Sequence, residues 1–268
     1  ESYIKGIDVD NNNIYLDDDD LIVSGTQNTQ NTWMDAKYDG VAITPRSGKA
    51  VEVNSLWYNA NKIMADLSKF GHSQNAKKYK LIAEKCKKSF NDKFYNKRRK
   101  CLYDVLGDSK IRPNQLFALS LTYPVIEADS EEAKNIISVV EKKLLNAYGL
   151  KTLAKGEENY VEVYEGDGKK RDSSYHQGIT WPWLLGLYYN ALKNILKKTK
   201  KKDAKKELET KLEKFIEKTS KTFQKEISHN GCIGSISELY DSRKPYLPKG
   251  TIAQAWSVAE VFRIILNK

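Results

Sequence analysis

KAVEVNSLWYNANKIMADL, residues 49–67, is the stretch that decides the fold class. Val53, Leu56, Trp57, Ala60, Met64 and Leu67 recur at steps of three and four, which puts them on one face of a helix. The same rhythm returns along the chain: Tyr79, Ile82, Ala83, Cys86 and Phe90; Ala133, Ile136, Ile137, Val140 and Leu144; Trp183, Leu184, Leu187, Ala191 and Ile195 behind Pro182; Leu208, Leu212, Phe215, Ile216, Thr219 and Phe223; Ala255, Val258, Ala259, Phe262 and Ile265. Pro113, suited to a first helical turn, predicts a further short helix through residues 116–121. Strand signals are few: 14–16 and 21–23 within the Asn-, Asp-, Gly- and Thr-rich segment 1–48, and an alternation at Cys101, Tyr103 and Val105. Helices in series without a strand–helix–strand rhythm predict an all-α domain, here a single domain over residues 1–268. The polar stretches 150–175 and 230–250 carry aromatics and aliphatics, so they predict ordered loops at a site. They follow alternate helices, which would set them at one mouth of a helical toroid.

Composition excludes several classes. No run approaches the ~20 apolar residues that span a bilayer, so no membrane partner is expected. The net charge of +10 is spread along helices and the lysine-rich segment 197–206, without a nucleic-acid motif, so no nucleic-acid partner is expected either. Three cysteines (Cys86, Cys101, Cys232) without metal-like spacing predict reduced thiols and a cytoplasmic location. His72, His176 and His229 are too scattered to hold zinc. The Asp/Asn run at 8–20 departs from the calcium-loop template, with Asn13 in place of Gly and Asp19 in place of a bidentate Glu. No metal and no cofactor are expected.

Four constellations carry chemistry. In Thr32-Trp33-Met34-Asp35, Trp33 and Met34 can give Asp35 the apolar setting that keeps a carboxyl protonated as a general acid; a loop Asp bonding nearby backbone is the plainer alternative. Glu52 is either a charge at a helix N-terminus or a ligand for sugar hydroxyls, Arg46 offers paired donors, and Trp57 fits a core. From Tyr160 to Trp183, aromatics interleave with amide, acid and imidazole groups, a mixture that suits the apolar faces and hydroxyl rim of a sugar. In GCIGSISELYD, small residues lead to Glu238 between Ile236 and Leu239. That makes it a candidate general base or, equally, an exposed turn residue.

TWMDAK and TPRSGKAVEVNSLWYNA resemble the C-terminal amylo-α-1,6-glucosidase domain of glycogen-debranching enzymes. RPNQLFALSL, GLKTLA, YEGD, YHQGITWPWLLG, GSISELYD and GTIAQAWSVAEVFR continue that resemblance in the family's order, over nearly all of residues 23–265. The resemblance implies an (α/α)6 toroid of twelve helices. Such a fold needs roughly 350 residues, so the toroid is expected to be incomplete on its N-terminal side, with an upstream domain of the same polypeptide as a partner. It implies an inverting hydrolase that removes α-1,6-linked glucose from a branched α-glucan such as glycogen or limit dextrin. Asp35 is then the general acid and Glu238 the general base. Trp33, Asp39, Arg46, Glu52, Gln115, Asp167, His176, Gln177, Trp181 and Trp256 are the substrate-binding candidates. A trehalase- or glucoamylase-like enzyme of the same fold and a non-catalytic glycan-binding module are the alternatives.

Overall fold

The computed structural model describes residues 2–6, 8, 11–71 and 73–266; His72 and Asp10 of the acidic run lie outside them. About half of the chain is helical, and ten two-residue strands accompany the helices among the described residues. The all-α expectation therefore holds for the bulk of the structure and misses the small sheets. The chain folds as two compact units, Glu1–Lys110 with Asn114–Ile136, and Ile111–Pro113 with Ile137–Lys268.

The first unit contains α1 (Ser2–Lys5), β1 (Tyr15–Leu16), β2 (Ile22–Val23), β3 (Lys37–Tyr38), β4 (Val41–Ala42), α2 (Val51–Leu67), α3 (Ser73–Phe94), β5 (Tyr95–Asn96), β6 (Cys101–Leu102), α4 (Phe117–Ser120) and the start of α5 (Glu131–Lys143). β1 with β2, β3 with β4 and β5 with β6 are antiparallel hairpins. The α3 face is the one the periodicity predicts: Ala83, Cys86 and Phe90 are fully buried, and Phe94 stacks on Phe90 at 4.3 Å. Each such side chain removed from water contributes about 1.5–3 kcal/mol.

α2 turns the other way. Its buried residues are Val51, Glu52, Asn54, Ser55, Tyr58, Asn61 and Ala65, while Leu56, Met64 and Leu67 are 43%, 40% and 57% exposed. Asn54 accounts for the rotation. Its Oδ1 accepts from the Ile22 amide at 2.7 Å and its Nδ2 donates to the Ile22 carbonyl at 3.1 Å. One side-chain amide thus serves both backbone groups of a fully buried strand residue, which would otherwise be left unpaired. Apolar spacing cannot register that requirement.

The second unit contains β7 (Leu150–Lys151), α6 (Gly168–Ser174), β8 (Thr180–Trp181), α7 (Leu184–Lys198), α8 (Lys202–His229), β9 (Leu239–Tyr240), β10 (Pro248–Lys249) and α9 (Ala255–Leu266). The helices α7, α8 and α9 pack on one another. The four strands form one antiparallel sheet in the order β10-β9-β8-β7, with Leu150 opposite Trp181, Thr180 opposite Tyr240 and Tyr240 opposite Pro248. The segments 150–175 and 230–250 are ordered, as expected, and this sheet is what orders them. α9 buries Ser257, Val261 and Ile264 rather than the predicted Ala255–Val258–Ala259–Phe262–Ile265 face. It is apolar on most sides, so its sequence does not single out a face. Its register is set by polar anchors instead, with Arg263 donating to the Asn190 side chain at 2.9 Å and to the Gly186 carbonyl at 3.3 Å.

Candidate active site

Glu238 immediately precedes β9, and Tyr175, the C-cap of α6, lies five residues before β8. Pairing of these two strands at Thr180 and Tyr240 brings together residues that are 63 apart in sequence. Both carboxylate oxygens of Glu238 are then held. Tyr175 Oη donates to Oε1 at 2.5 Å, the Thr251 amide donates to Oε2 at 2.9 Å, and Gln254 Nε2 lies 3.4 Å from Oε1. The Glu238 amide returns a bond to the Thr251 carbonyl at 2.9 Å. Gly250 makes this approach possible. Its φ is +67°, and a Cβ there would lie 2.4 Å from Glu238 Oε2, so only glycine leaves the carboxylate its place.

Glu238 is 8% exposed and opens into a cavity of about 630 Å³ lined also by Tyr164, Glu165, Gly166, Arg171, Lys249, Gly250 and Thr251. That volume suits a small polar ligand. The Tyr164 amide donates to Asp241 Oδ1 at 2.9 Å, which ties the 150–175 segment to the strand that carries Glu238. Burial raises the Tyr164 phenol above its usual range, so it acts as a neutral hydrogen-bonding group at neutral pH. Behind the cavity, His176 is 1% exposed and its ring stacks on Trp181 at 5.3 Å, while Trp181 Nε1 donates to the Tyr175 carbonyl at 3.1 Å. Arg112 fixes this wall from beneath, donating to the carbonyls of Thr152 (3.0 Å) and His176 (2.6 Å) and to Gln177 Oε1 (2.8 Å).

In the first unit, Asp35 is exposed, Met34 is fully buried and Ala36 is 7% exposed. Alternation along this segment turns Met34 into the core and Asp35 outward. Within its own unit, Asp35 therefore does not have the apolar setting expected from Met34. Trp33 is half-buried and oriented by a chain of contacts: its Nε1 donates to Asn114 Oδ1 at 2.7 Å, and Asn114 Nδ2 donates to Asp104 Oδ1 at 2.8 Å. Arg46 joins the same network. Its Nε and Nη2 donate to Asp104 at 2.6 and 3.0 Å, its Nη2 to Glu52 at 2.7 Å and its Nη1 to Thr32 Oγ1 at 3.1 Å. Burial opposes the guanidinium charge, but Asp104 and Glu52 outweigh it and hold Arg46 well above its ordinary pKa. Arg46, read from sequence as a partner for a carboxylate or for hydroxyls, and Glu52, read as a helix-N-terminal charge or a sugar ligand, are 8% and 3% exposed and paired with each other, and Arg46 also holds Thr32.

Other candidates have local explanations. Asp39 (φ +47°) and Gly40 form the two-residue turn of the β3–β4 hairpin, a pairing such tight turns favour. Asp167 caps α6, accepting from the Lys170 amide at 2.9 Å. Gln115 is 1% exposed. Trp256 is 36% exposed, stacks on Trp183 at 5.0 Å and meets Trp181 edge-on at 5.6 Å. Tyr164, Arg171 and Tyr175 fall within the Tyr160–Trp183 constellation that the sequence marks for a sugar, whereas Gly250 and Thr251 are site residues the sequence reading passes over. Tyr175 sits inside YHQG and Gly250 heads GTIAQAW, so a signal was present but nothing in it linked the two segments. The acidic run is engaged otherwise. Asp8 accepts from the Asn12 and Asn13 amides, and Asp17 and Asp19 pair with Lys49. Among the described residues, no group of three His, Cys, Asp or Glu is placed to hold a metal ion.

The second unit thus presents a clamped, nearly buried carboxylate to a cavity of about 630 Å³. The chain belongs to the amylo-alpha-1,6-glucosidase family, whose model matches residues 1–263. It is 26% identical over 218 residues to the glycogen debranching enzyme of Saccharomyces cerevisiae, an alignment covering 64% of this chain and 14% of that protein. The chain thus matches about one seventh of the length of that curated relative. Among solved structures it is similar in fold to a sialidase, with TM-score 0.61 and 15% identity over 82% of this chain and 19% of that one. A metal-independent α-mannosidase from Streptococcus pneumoniae, in non-productive complex with α-1,6-mannobiose, aligns at TM-score 0.46 and 15% identity over 92% of this chain and 56% of that one. Among the described residues, no helix is long and apolar enough to cross a membrane.

Proposed function

We propose that the protein hydrolyses the α-1,6-linked glucose left at branch points of glycogen or limit dextrin, with inversion at the anomeric carbon. The observation that carries this reading is the Glu238 carboxylate, both oxygens hydrogen-bonded at the wall of a cavity of about 630 Å³, in a chain of this family. Glu238 is the general base and takes a proton from the attacking water. Asp35 is the general acid and gives its proton to the departing oxygen, its desolvation supplied by bound glucan. An inverting pair requires a separation of about 6.5–9.5 Å in the working complex. Both proton transfers are performed by side chains. Trp256 and Tyr164 offer ring surface to the apolar face of the sugar, and Trp33 flanks Asp35. In this reading the chain is the C-terminal part of an (α/α)6 glucosidase domain, acts in the cytoplasm and works beside an upstream domain of the same polypeptide.

The test is glucose release from branched limit dextrin, compared with trehalose and linear maltooligosaccharides. Glu238→Gln and Asp35→Asn should each lose at least a hundredfold in rate, the contribution typical of a positioned acid or base, and keep glucan binding. Preferential release from trehalose or linear chains would move the assignment to a trehalase- or glucoamylase-like activity. Glycan binding without turnover would make the protein a binding module. Full activity in Glu238→Gln would remove the carboxylate from the mechanism.

A further inference from the structure

We propose that Tyr175 is the positioning residue for Glu238, holding its carboxylate aimed into the cavity. The inference deepens the reading of Glu238 as the base and rests on it. Tyr175 reaches Glu238 from a different segment of the chain, through a 2.5 Å bond to Oε1, while Oε2 is anchored by the Thr251 amide. A carboxylate with one oxygen on rigid backbone and the other on a phenol cannot rotate without breaking one of the two. Hydrogen bonds to a charged acceptor are among the stronger ones.

The phenol is itself held. The Tyr175 ring meets Trp181 edge-on at 4.9 Å, His176 at 4.8 Å and Tyr164 at 5.6 Å. Its backbone carbonyl receives the Trp181 indole N–H, and its amide donates to the Asp172 carbonyl at 3.4 Å. Removing only the hydroxyl therefore leaves the ring packing in place. Among the described residues that line the cavity, the charged or titratable groups beside Glu238 are Arg171 from α6, Lys249 from β10, and Tyr164 and Glu165 from the loop before α6. Tyr175→Phe leaves all four present, so a change in rate traces to the lost hydroxyl.

The experiment uses the full chain with limit dextrin as substrate and carries Tyr175→Phe beside Glu238→Gln. Tyr175→Phe should lower kcat about tenfold, the size expected for one hydrogen bond to a charged group, with KM within about twofold. Limit-dextrin binding measured by calorimetry should stay at the wild-type Kd in Tyr175→Phe, since the lost donor serves the carboxylate rather than the glucan. An inactive Glu238→Gln beside a Tyr175→Phe protein with wild-type kcat would overturn this inference alone. An active Glu238→Gln would overturn the base assignment and the positioning role with it. A Tyr175→Phe protein that loses near-UV circular dichroism would mark the hydroxyl as structural and overturn the inference; unchanged dichroism with the fall in kcat at unchanged KM supports it.

Discussion

Arg46→Met tests the network beneath the Thr32–Asp35 loop. In the wild type, the side chains of Arg46, Glu52 and Asp104 are 4%, 4% and 1% exposed, and one guanidinium serves both carboxylates. Methionine fills similar volume but takes away the guanidinium that both buried carboxylates share. Breaking a buried pair by removing one partner costs about 3–5 kcal/mol, because the penalty is the stranded charge rather than the lost attraction. Arg46 also stands at φ +44°, a backbone conformation that costs a non-glycine residue about 1–3 kcal/mol and persists only while its surroundings enforce it. Against a domain stability of roughly 5–15 kcal/mol the loss is large. With a urea slope near ~2 kcal/mol/M, a loss of about 4 kcal/mol lowers the midpoint by about 2 M. The assay is urea unfolding at pH 7 followed by far-UV circular dichroism. Arg46→Met combined with Glu52→Gln and Asp104→Asn should recover at least half of the loss. A decrease below about 1 kcal/mol at pH 7 would refute the claim that this ion cluster holds the loop.

Three further outcomes follow from the same structure. Asn54→Ala should cost about 2–4 kcal/mol by stranding the Ile22 amide and carbonyl. Leu67→Ser, on the predicted but exposed face, should change stability by no more than about 0.5 kcal/mol; reversed costs in chemical denaturation would mean that α2 is turned as its apolar spacing suggests. Burial pushes the Cys86 thiol up to about 12, whereas Cys232 is half-buried. Iodoacetamide at pH 8 should therefore modify Cys232 well before Cys86 by mass spectrometry, and equal rates would count against the burial of α3. Asp17 and Asp19 are lowered, Asp17 chiefly by its hydrogen bond from Lys49, Asp19 because bonds from Lys49 and Lys93 outweigh its burial. Their contribution is present above the ordinary carboxylate value of about 3.9 and is lost as pH falls through the depressed folded values. Lys49→Met should cost about 1 kcal/mol at pH 7 and nothing measurable near pH 2; a pH-independent cost would refute the pairing.

The sequence made the helices legible where one face alone was apolar. Ala83, Cys86 and Phe90 of α3 and Ile136 and Val140 of α5 are buried as their spacing requires. It misled in α2, where Asn54 is buried for its hydrogen bonds, and in α9, where apolar residues on most sides leave the face undetermined. The four-stranded sheet escaped because each strand is two residues long, too short for alternation to register. That omission hid the site's assembly. Glu238 is visible as an acid among aliphatics, but its partners Tyr175 and Thr251 are joined to it only by strand pairing across the chain. Asp39, a candidate through the family resemblance, and Asp167, an acid among aromatics, have positions that hairpin and capping chemistry explain.

The β8–β9 pairing also sets an order of events. Thr180 meets Tyr240 only after the intervening chain, including the whole of α7 and α8, has been gathered into a closed loop. Such a long closure is entropically unfavourable until the contacts it brings are made. The carboxylate pocket therefore belongs to the late stage of assembly of its unit, after the helices it depends on. A single protease cut beside the exposed Ile233 would leave every helix intact while separating Glu238 from Tyr175 along the backbone.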